Sequence, residues 1–318
     1  MPLSRRSRWL IFGLLLYGAF CVTGGIFLAD GTLHPGRRLL TDEETSAFRQ
    51  SLRPLNVGVG DVSITTPDGA TLRAWILHPA RPNGDAAVLL HGLADNRLGM
   101  NGYAQILLAH GFTVLMPDAR AHGVSGGELA TYGLLERNDI HEWVRILSQQ
   151  AHPRCIYGMG ESMGAAQLLQ SLDTDTQFCA VVAESSFANF REIAYDRMGQ
   201  PFHLGPWVGR TLLRPLVEVA FLRARWKYKL DMQKISPEIS VARTHVPILL
   251  IHGQIDSNIP VRHSRLIHER DPETMLWEIP GADHCGGLSA APEEFQRRLL
   301  AWFERNPQST AAASATVQ

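Results

Sequence analysis

Six short apolar runs constrain this chain more than any other feature: "AAVLLHG", "FTVLMPDA", "CIYGMG", "CAVVAESS", "VPILLIHG" and "MLWEIPG". Each is about the length of a strand, and continuous apolar or β-branched residues mark strands covered on both faces. Amphipathic stretches separate most of them, among them "RLGMNGYAQILLAHG", "LERNDIHEWVRILSQQ", "MGAAQLLQSL" and "RHSRLIHER", and "EEFQRRLLAWFERN" closes the series. The alternation predicts an α/β domain: a mainly parallel sheet with helices on both faces and ligands at the carboxyl ends of its strands. Upstream, "VGVGDVSITT" and "TLRAWILHP" flank "PDG", the pattern of an antiparallel hairpin with Asp68 and Gly69 in its turn.

The rhythm fails in two places. Between "CAVVAESS" and "VPILLIHG" lies a segment from Phe187 to His245, rich in Phe, Trp, Tyr and Arg, with an amphipathic stretch "GRTLLRPLVEVAFLRARW". It is expected to be a helical cap inserted at about residues 187–245, its apolar face packing on the main sheet, a role compatible with a lid lining a substrate pocket, and its basic residues from Arg210 to Lys229 forming a solvated face, with a lipid-headgroup site as the alternative. At the front, Arg5, Arg6 and Arg8 precede an uncharged run from Trp9 to Ala29. As a helix that run extends roughly 30 Å, one hydrocarbon core. Residues 1–35 are therefore read as a cytoplasmic stub and a single-pass anchor spanning 9–29, with the catalytic domain outside the cytoplasm. The alternative is a cleaved signal peptide and a secreted protein, although the run is longer than a usual signal core and lacks a clear small-residue cleavage site. Residues 36–56 are expected to be a polar linker, and the tail 305–318, which ends in "PQSTAAASATVQ", to be mobile.

Composition narrows the function. A formal charge of −1 gives no electrostatic footprint for nucleic acid. The 13 histidines are scattered and no CxxC or HExxH spacing occurs, so no structural metal is expected. Of the four cysteines, Cys21 lies in the anchor and Cys285 follows His284. Cys155 and Cys179 each open an apolar run and are read as two small buried residues, while an oxidising exterior would permit a bridge between them.

The chemistry centres on "CIYGMGESMGAAQLL". Gly160-Glu161-Ser162-Met163-Gly164 fits GxSxG after a predicted strand and before a predicted helix, the context of a nucleophile elbow. Gly160 and Gly164 leave room for a sharp turn that exposes Ser162. Downstream, "IHGQIDSNIP" sets Asp256 just past a strand, and "IPGADHCGG" sets His284 just past the next. Serine, acid and histidine thus appear in an order suited to a triad built at one sheet edge. Asp118 is the second choice for the acid, and Asp283 adjoins the histidine. The oxyanion hole needs two backbone donors: Met163, and a residue of the His91-Gly92-Leu93-Ala94 loop, with Leu93 preferred and Ala94 the alternative. His91 is read as a structural histidine beneath that loop. Asp118, Arg120, His122 and Ser125 are read as a hydrogen-bonded loop that supports the site.

Residues from about 57 to 304 resemble the α/β-hydrolase superfamily, and within it the serine aminopeptidase or lysophospholipase-like branch, sometimes carrying a membrane anchor. The resemblance rests on "HGLADN", "PDARAHGVSGG" (similar to that branch's DxRGxGxS segment), "GMGESMG", "HGQIDSNIP" and "GADHCGG". Two positions depart from the pattern: Ala121 stands where a glycine is usual, and Asp283 where a small residue precedes the histidine. The reading is a cofactor-free serine hydrolase acting on small or lipid-like esters, attached to the membrane by its first helix. A peptidase or a thioesterase would use the same groups.

Overall fold

The computed structural model describes residues 4–173 and 177–307. The far end of the tail, residues 308–318, lies outside them. The chain divides into two compact units, one of residues 35–188 and 236–318, the other of residues 1–34 and 189–235.

The larger unit is built on an eight-stranded sheet in the order β1-β2-β4-β3-β5-β6-β7-β8. Its strands are β1 (Gly58–Thr65), β2 (Thr71–His78), β3 (Ala86–Leu90), β4 (Thr113–Pro117), β5 (Ile156–Glu161), β6 (Phe178–Glu184), β7 (Ile248–Gly253) and β8 (Met275–Ile279). The hairpin β1–β2 is antiparallel with Thr65 opposite Thr71, and β2 also runs antiparallel to β4; every other pairing is parallel. Strand direction of chain progress reverses between β3 and β5, and such a switch point opens a crevice at the carboxyl ends of the two strands.

Strand side chains alternate between two cores. Ala87, Leu89, Tyr157 and Met159 face one, while Ala86, Val88 and Leu90 face the other. Both faces are buried along the central strands β3–β7, which is why those strands carry no polar alternation. Helices α3 (Asn101–Ala109) and α12 (Pro292–Arg305) contribute Leu107, Phe295 and Phe303 to the first core. Helices α4 (Glu136–Ala151), α5 (Met163–Gln170) and α10 (Arg262–Arg270) contribute Trp143, Leu168 and Ile267 to the second. Short α9 (Pro237–Val241) and α11 (Gly287–Ala290) complete the unit. Within the segment read as a linker, residues 42–51 form α2 (Asp42–Ser51), capped by a reciprocal Thr41 and Glu44 box. Its Phe48 is buried and stacks on Trp75 at 4.9 Å.

Cys155 and Cys179 are joined in a disulfide, with Cα atoms 5.8 Å apart. This corrects the reading of two separate apolar residues. The parallel register slips between Ile156 and Tyr157, whose partners are Phe178 and Ala180, so Cys179 is the extra residue of the bulge and lies beside Cys155.

The smaller unit holds α1 (Arg5–Leu33), α6 (Phe190–Gly199), α7 (Trp207–Arg210) and α8 (Arg214–Tyr228). The amphipathic stretch expected from residue 209 becomes regular helix only at Arg214, where Pro215 can occupy the first turn because no backbone donor is needed there. Helix α1 is long and apolar enough to cross a membrane.

Ala121, at the position where the resemblance expects glycine, adopts φ 61. An L side chain in the left-handed region costs about 1–2 kcal/mol. Ala121→Gly relieves that strain and loses about 0.5–1 kcal/mol to the greater freedom of the unfolded chain. The variant is expected to gain on the order of 0.5–1 kcal/mol, read as a higher urea midpoint at unchanged slope.

Candidate active site

Ser162 sits between the end of β5 and the start of α5 with φ 51 and ψ −112, a region that non-glycine residues avoid. The serine itself therefore carries the strained conformation, and the flanking glycines serve close approach instead. A Cβ at Gly164 would lie 2.2 Å from the Leu90 carbonyl oxygen, and one at Gly160 would lie 2.6 Å from the Ala165 nitrogen. The Ser162 N–H donates to the Glu184 carbonyl at 2.8 Å, which ties the turn to β6.

His284 follows β8 and reaches the serine: its Nε2 is 2.9 Å from Ser162 Oγ. Its Nδ1 lies 2.9 Å from Asp256 Oδ2 and 3.1 Å from Oδ1. Asp256 is in the loop after β7, where Oδ1 also accepts the N–H groups of Asn258 at 2.9 Å and Ile259 at 2.8 Å. Burial works against its charge, but hydrogen bonds from His252 and His284 outweigh it and hold the carboxyl below its usual range. An ionised carboxylate only accepts, so Nδ1 of His284 carries a proton and Nε2 is left to accept the serine hydroxyl.

The competing acids are engaged elsewhere. Asp283 accepts the Ser257 N–H, the Ser257 hydroxyl and the backbone N–H of His284, at 2.8, 3.0 and 2.8 Å. Asp118 is fully buried and accepts the Arg97 backbone N–H, the Arg97 guanidinium and the Val124 N–H, each at 2.8 Å. Arg120 is held by both carboxylate oxygens of Asp139 and by Asp68, and Ser125 donates to the Asp118 carbonyl. His122 Nδ1 lies 2.9 Å from the Arg120 carbonyl. His91 is buried, with Nδ1 donating to the Gly92 carbonyl and Nε2 accepting the Ala119 N–H. Both nitrogens are committed to the neutral ring, and burial, with His122 nearby, lowers its pKa to about 4.

The loop after β3 comes close to Ser162. A Cβ at Gly92 would be 3.6 Å from Ser162 Cβ. Leu93 and Ala94 follow, Ala94 at φ 58. Met163 opens α5, so its N–H is among the first-turn donors that lack an intrahelical acceptor. Among the described residues, no cluster of three or more His, Cys, Asp or Glu suits a metal ion.

Three groups near the site escaped the sequence reading. His252, at the end of β7, lies 3.2 Å from Asp256 Oδ2 and 2.7 Å from the Ile259 carbonyl, bracing the acid from behind. Glu161 and Glu184 pair across β5 and β6 beneath the elbow, and the Tyr103 hydroxyl lies 2.6 Å from one and 2.8 Å from the other. Glu184 also accepts the Gly287 N–H at 2.8 Å, three residues past His284. One tyrosine proton cannot serve two carboxylates at once, so a proton on Glu161 would complete the pair's hydrogen bonds. Burial, then the charge of Glu184, pushes Glu161 up to about 8, and burial raises Glu184 as well. The one available signal was an acidic residue closing each of two otherwise apolar strands.

The profile of the alpha/beta hydrolase family matches residues 87–298. The uncharacterized Bacillus subtilis protein YqkD is 31% identical over 230 residues, covering 70% of this chain and 72% of that protein. The uncharacterized Bacillus subtilis peptidase YuxL is 21% identical over 77% of this chain and 39% of its own length. Among solved structures, the Pyrococcus furiosus esterase Pf2001 superposes with a TM-score of 0.69 at 24% identity, covering 87% of this chain and 99% of that one. The Pyrococcus horikoshii acylaminoacyl peptidase gives 0.60 at 19% identity over 86% of this chain and 45% of its own.

The shared proton has a thermodynamic consequence. The folded cluster keeps a proton that an unfolded glutamate releases above its ordinary pKa of 4.5, so this contribution to stability declines as pH rises from about 4.5 to about 8. The slope is at most about 1.4 kcal/mol per pH unit. Glu161→Gln, which donates permanently, should flatten that decline and unfold at higher denaturant than the native protein at pH 8, with little difference at pH 4.5. Parallel urea titrations across this range check it.

Proposed function

The chain belongs to the alpha/beta hydrolase family, and we propose on that premise that it is a serine hydrolase cleaving carboxylic esters through an acyl-enzyme. The observation that carries this reading is the run of hydrogen bonds from Asp256 through His284 to the strained Ser162. In the proposed cycle Ser162 Oγ attacks the ester carbonyl while His284 Nε2 takes its proton, and the same nitrogen returns that proton to the departing alcohol. Water then attacks the acyl-serine with His284 again as base, releasing the acid and restoring the serine hydroxyl. Asp256 keeps the imidazole in the tautomer this requires. The Met163 and Leu93 N–H groups are the donors assigned to the tetrahedral oxyanion.

Residues 57–304 are assigned as the hydrolase domain, with a cap inserted at about 187–245. The esterase neighbour favours esters, and the apolar and aromatic content of the insertion favours a small or lipid-like substrate. A peptidase is the second reading, favoured by the resemblance to YuxL and to the acylaminoacyl peptidase. The N-terminus is placed in the cytoplasm and the catalytic domain outside. Arg5, Arg6 and Arg8, at the start of α1 and ahead of its apolar run, support this orientation, and the Cys155–Cys179 disulfide supports an oxidising compartment.

Ser162→Ala is expected to lower kcat by on the order of 10⁴ to 10⁶ without disturbing the fold. Asp256→Asn should cost about 10³ to 10⁴ and Asp283→Asn far less; the opposite ranking would reassign the acid. A panel of short-chain esters, thioesters and aminoacyl amides, compared by kcat/KM, selects among the substrate classes. Amides turned over faster than esters would establish the peptidase reading.

A further inference from the structure

Helix α1 changes character halfway along. From Trp9 to Phe20 its large apolar side chains stand in the open, Leu10 70% and Leu14 69% exposed, and Val22 and Phe27 continue that open face further along, Phe27 74% exposed. From Cys21 onward a buried stripe of Cys21, Gly25, Ala29 and Leu33 runs at four-residue intervals, which is one face of a helix. That stripe lies against α8. A Cβ on Gly25 would meet the Leu216 carbonyl and Val219 Cβ at 2.6 Å, so the two backbones approach as closely as glycine allows.

The contacts also fix the register. The Tyr17 hydroxyl donates to the Leu212 carbonyl. Further along, Asp30 accepts from Arg223 at 3.0 and 3.2 Å, from Tyr228 at 2.8 Å and from Lys227 at 3.4 Å. The hydrogen bond from Arg223 leads in holding the Asp30 carboxyl below its usual range. The two helices therefore run parallel, with Leu212 level with Tyr17 and Arg223 level with Asp30.

This docking is incompatible with a hydrocarbon span over the whole of Trp9–Ala29. The free stretch Trp9–Phe20 extends only about 18 Å, against a core of about 30 Å. Burying the remainder would take Glu218 and the basic residues of α8 into lipid, where unscreened charge is strongly disfavoured. Arg5, Arg6 and Arg8 can snorkel to lengthen the span at one end. At the other end stand Leu204, Trp207 and Leu212, 56%, 64% and 59% exposed, with Arg210 and Arg214 beside them. Aromatic and apolar residues flanked by arginines suit the boundary between acyl chains and phosphate headgroups.

We propose that α1 is shared between two partners: its first half, lengthened by Arg5, Arg6 and Arg8 reaching the far headgroups, crosses the bilayer, its second half is a permanent part of the cap, and the α7–α8 end of the cap sits in the headgroup boundary through Leu204, Trp207 and Leu212. Cleavage after the apolar run would remove Cys21–Ala29 from α8 and uncover Leu216 and Val219, so the helix stays on the mature chain.

The test uses the full chain in phosphatidylcholine vesicles carrying nitroxide-labelled acyl chains. Single cysteines at Trp207, Leu212, Phe27 and Arg225, in a Cys21→Ala, Cys285→Ala background, are labelled with a fluorophore. Circular dichroism melting first verifies that each labelled variant is folded. Quenching at positions 207 and 212 should exceed that at 27 and 225 by at least threefold. In the same vesicles Gly24→Cys with Leu216→Cys should cross-link on mild oxidation, since a Cβ at Gly24 lies 3.4 Å from Leu216 Cγ. Strong quenching at 27 with none at 207 and 212, or failure to cross-link, would show α1 crossing the bilayer apart from the cap and would overturn the proposal. A mature N-terminus beyond residue 25 would do the same.

Discussion

Close backbone packing at the elbow is the constraint from which the site follows. The start of α5 passes so near the end of β3 that Gly164 admits no side chain beside the Leu90 carbonyl. That contact sets the β5–α5 turn angle, and the turn angle forces Ser162 into its left-handed conformation. Strain of this kind costs on the order of 1–3 kcal/mol and persists only where the surroundings over-determine it. Here β3 lies on one side, and on the other the Glu184 carbonyl takes the Ser162 N–H. The same packing brings the loop after β3 to the serine, so one steric fact positions both the nucleophile and the backbone assigned to the oxyanion.

Around the elbow the protein separates carboxyls that must be charged from those that need not be. Asp256 is surrounded by donors: two backbone N–H groups, His284 and His252. Glu161 and Glu184 have one tyrosine hydroxyl between them and, on Glu184, the Gly287 N–H, and burial raises both carboxyls above their ordinary range. Two ionised carboxylates beneath the serine would oppose the oxyanion that the proposed reaction develops above it. Keeping one of them neutral removes that opposition, and its cost in stability grows as pH rises above the ordinary glutamate range.

Much of the scaffold was legible in the residues. Continuous apolar runs announced strands buried on both faces because a parallel sheet excludes water from both sides, and "PDG" announced the hairpin. The resemblance to the α/β hydrolases could be read from "GMGESMG" and "GADHCGG" because a turn that tight needs glycine at fixed offsets. Helix α2 was missed although Thr41 and Glu44 spell its capping box, since a polar ten-residue helix has little apolar periodicity to reveal it. The disulfide was left as the second alternative for another reason: two cysteines at the starts of separate strands become neighbours here through a bulge, which leaves no mark in either segment.

By itself, then, the sequence determined the element order, the layered architecture and the residue types available for chemistry, because periodicity and turn chemistry act over a few residues. Tertiary structure alone decided which carboxylate faces His284, since Asp118, Asp256 and Asp283 are all acids beside strand ends and differ only in the donors that surround them. It also decided that Glu161 and Glu184 share a tyrosine, and that half of an apolar helix packs on protein. Each of these depends on groups distant in the chain, and the hydrogen bonds and steric contacts that select among equivalent residues exist only once those groups are brought together.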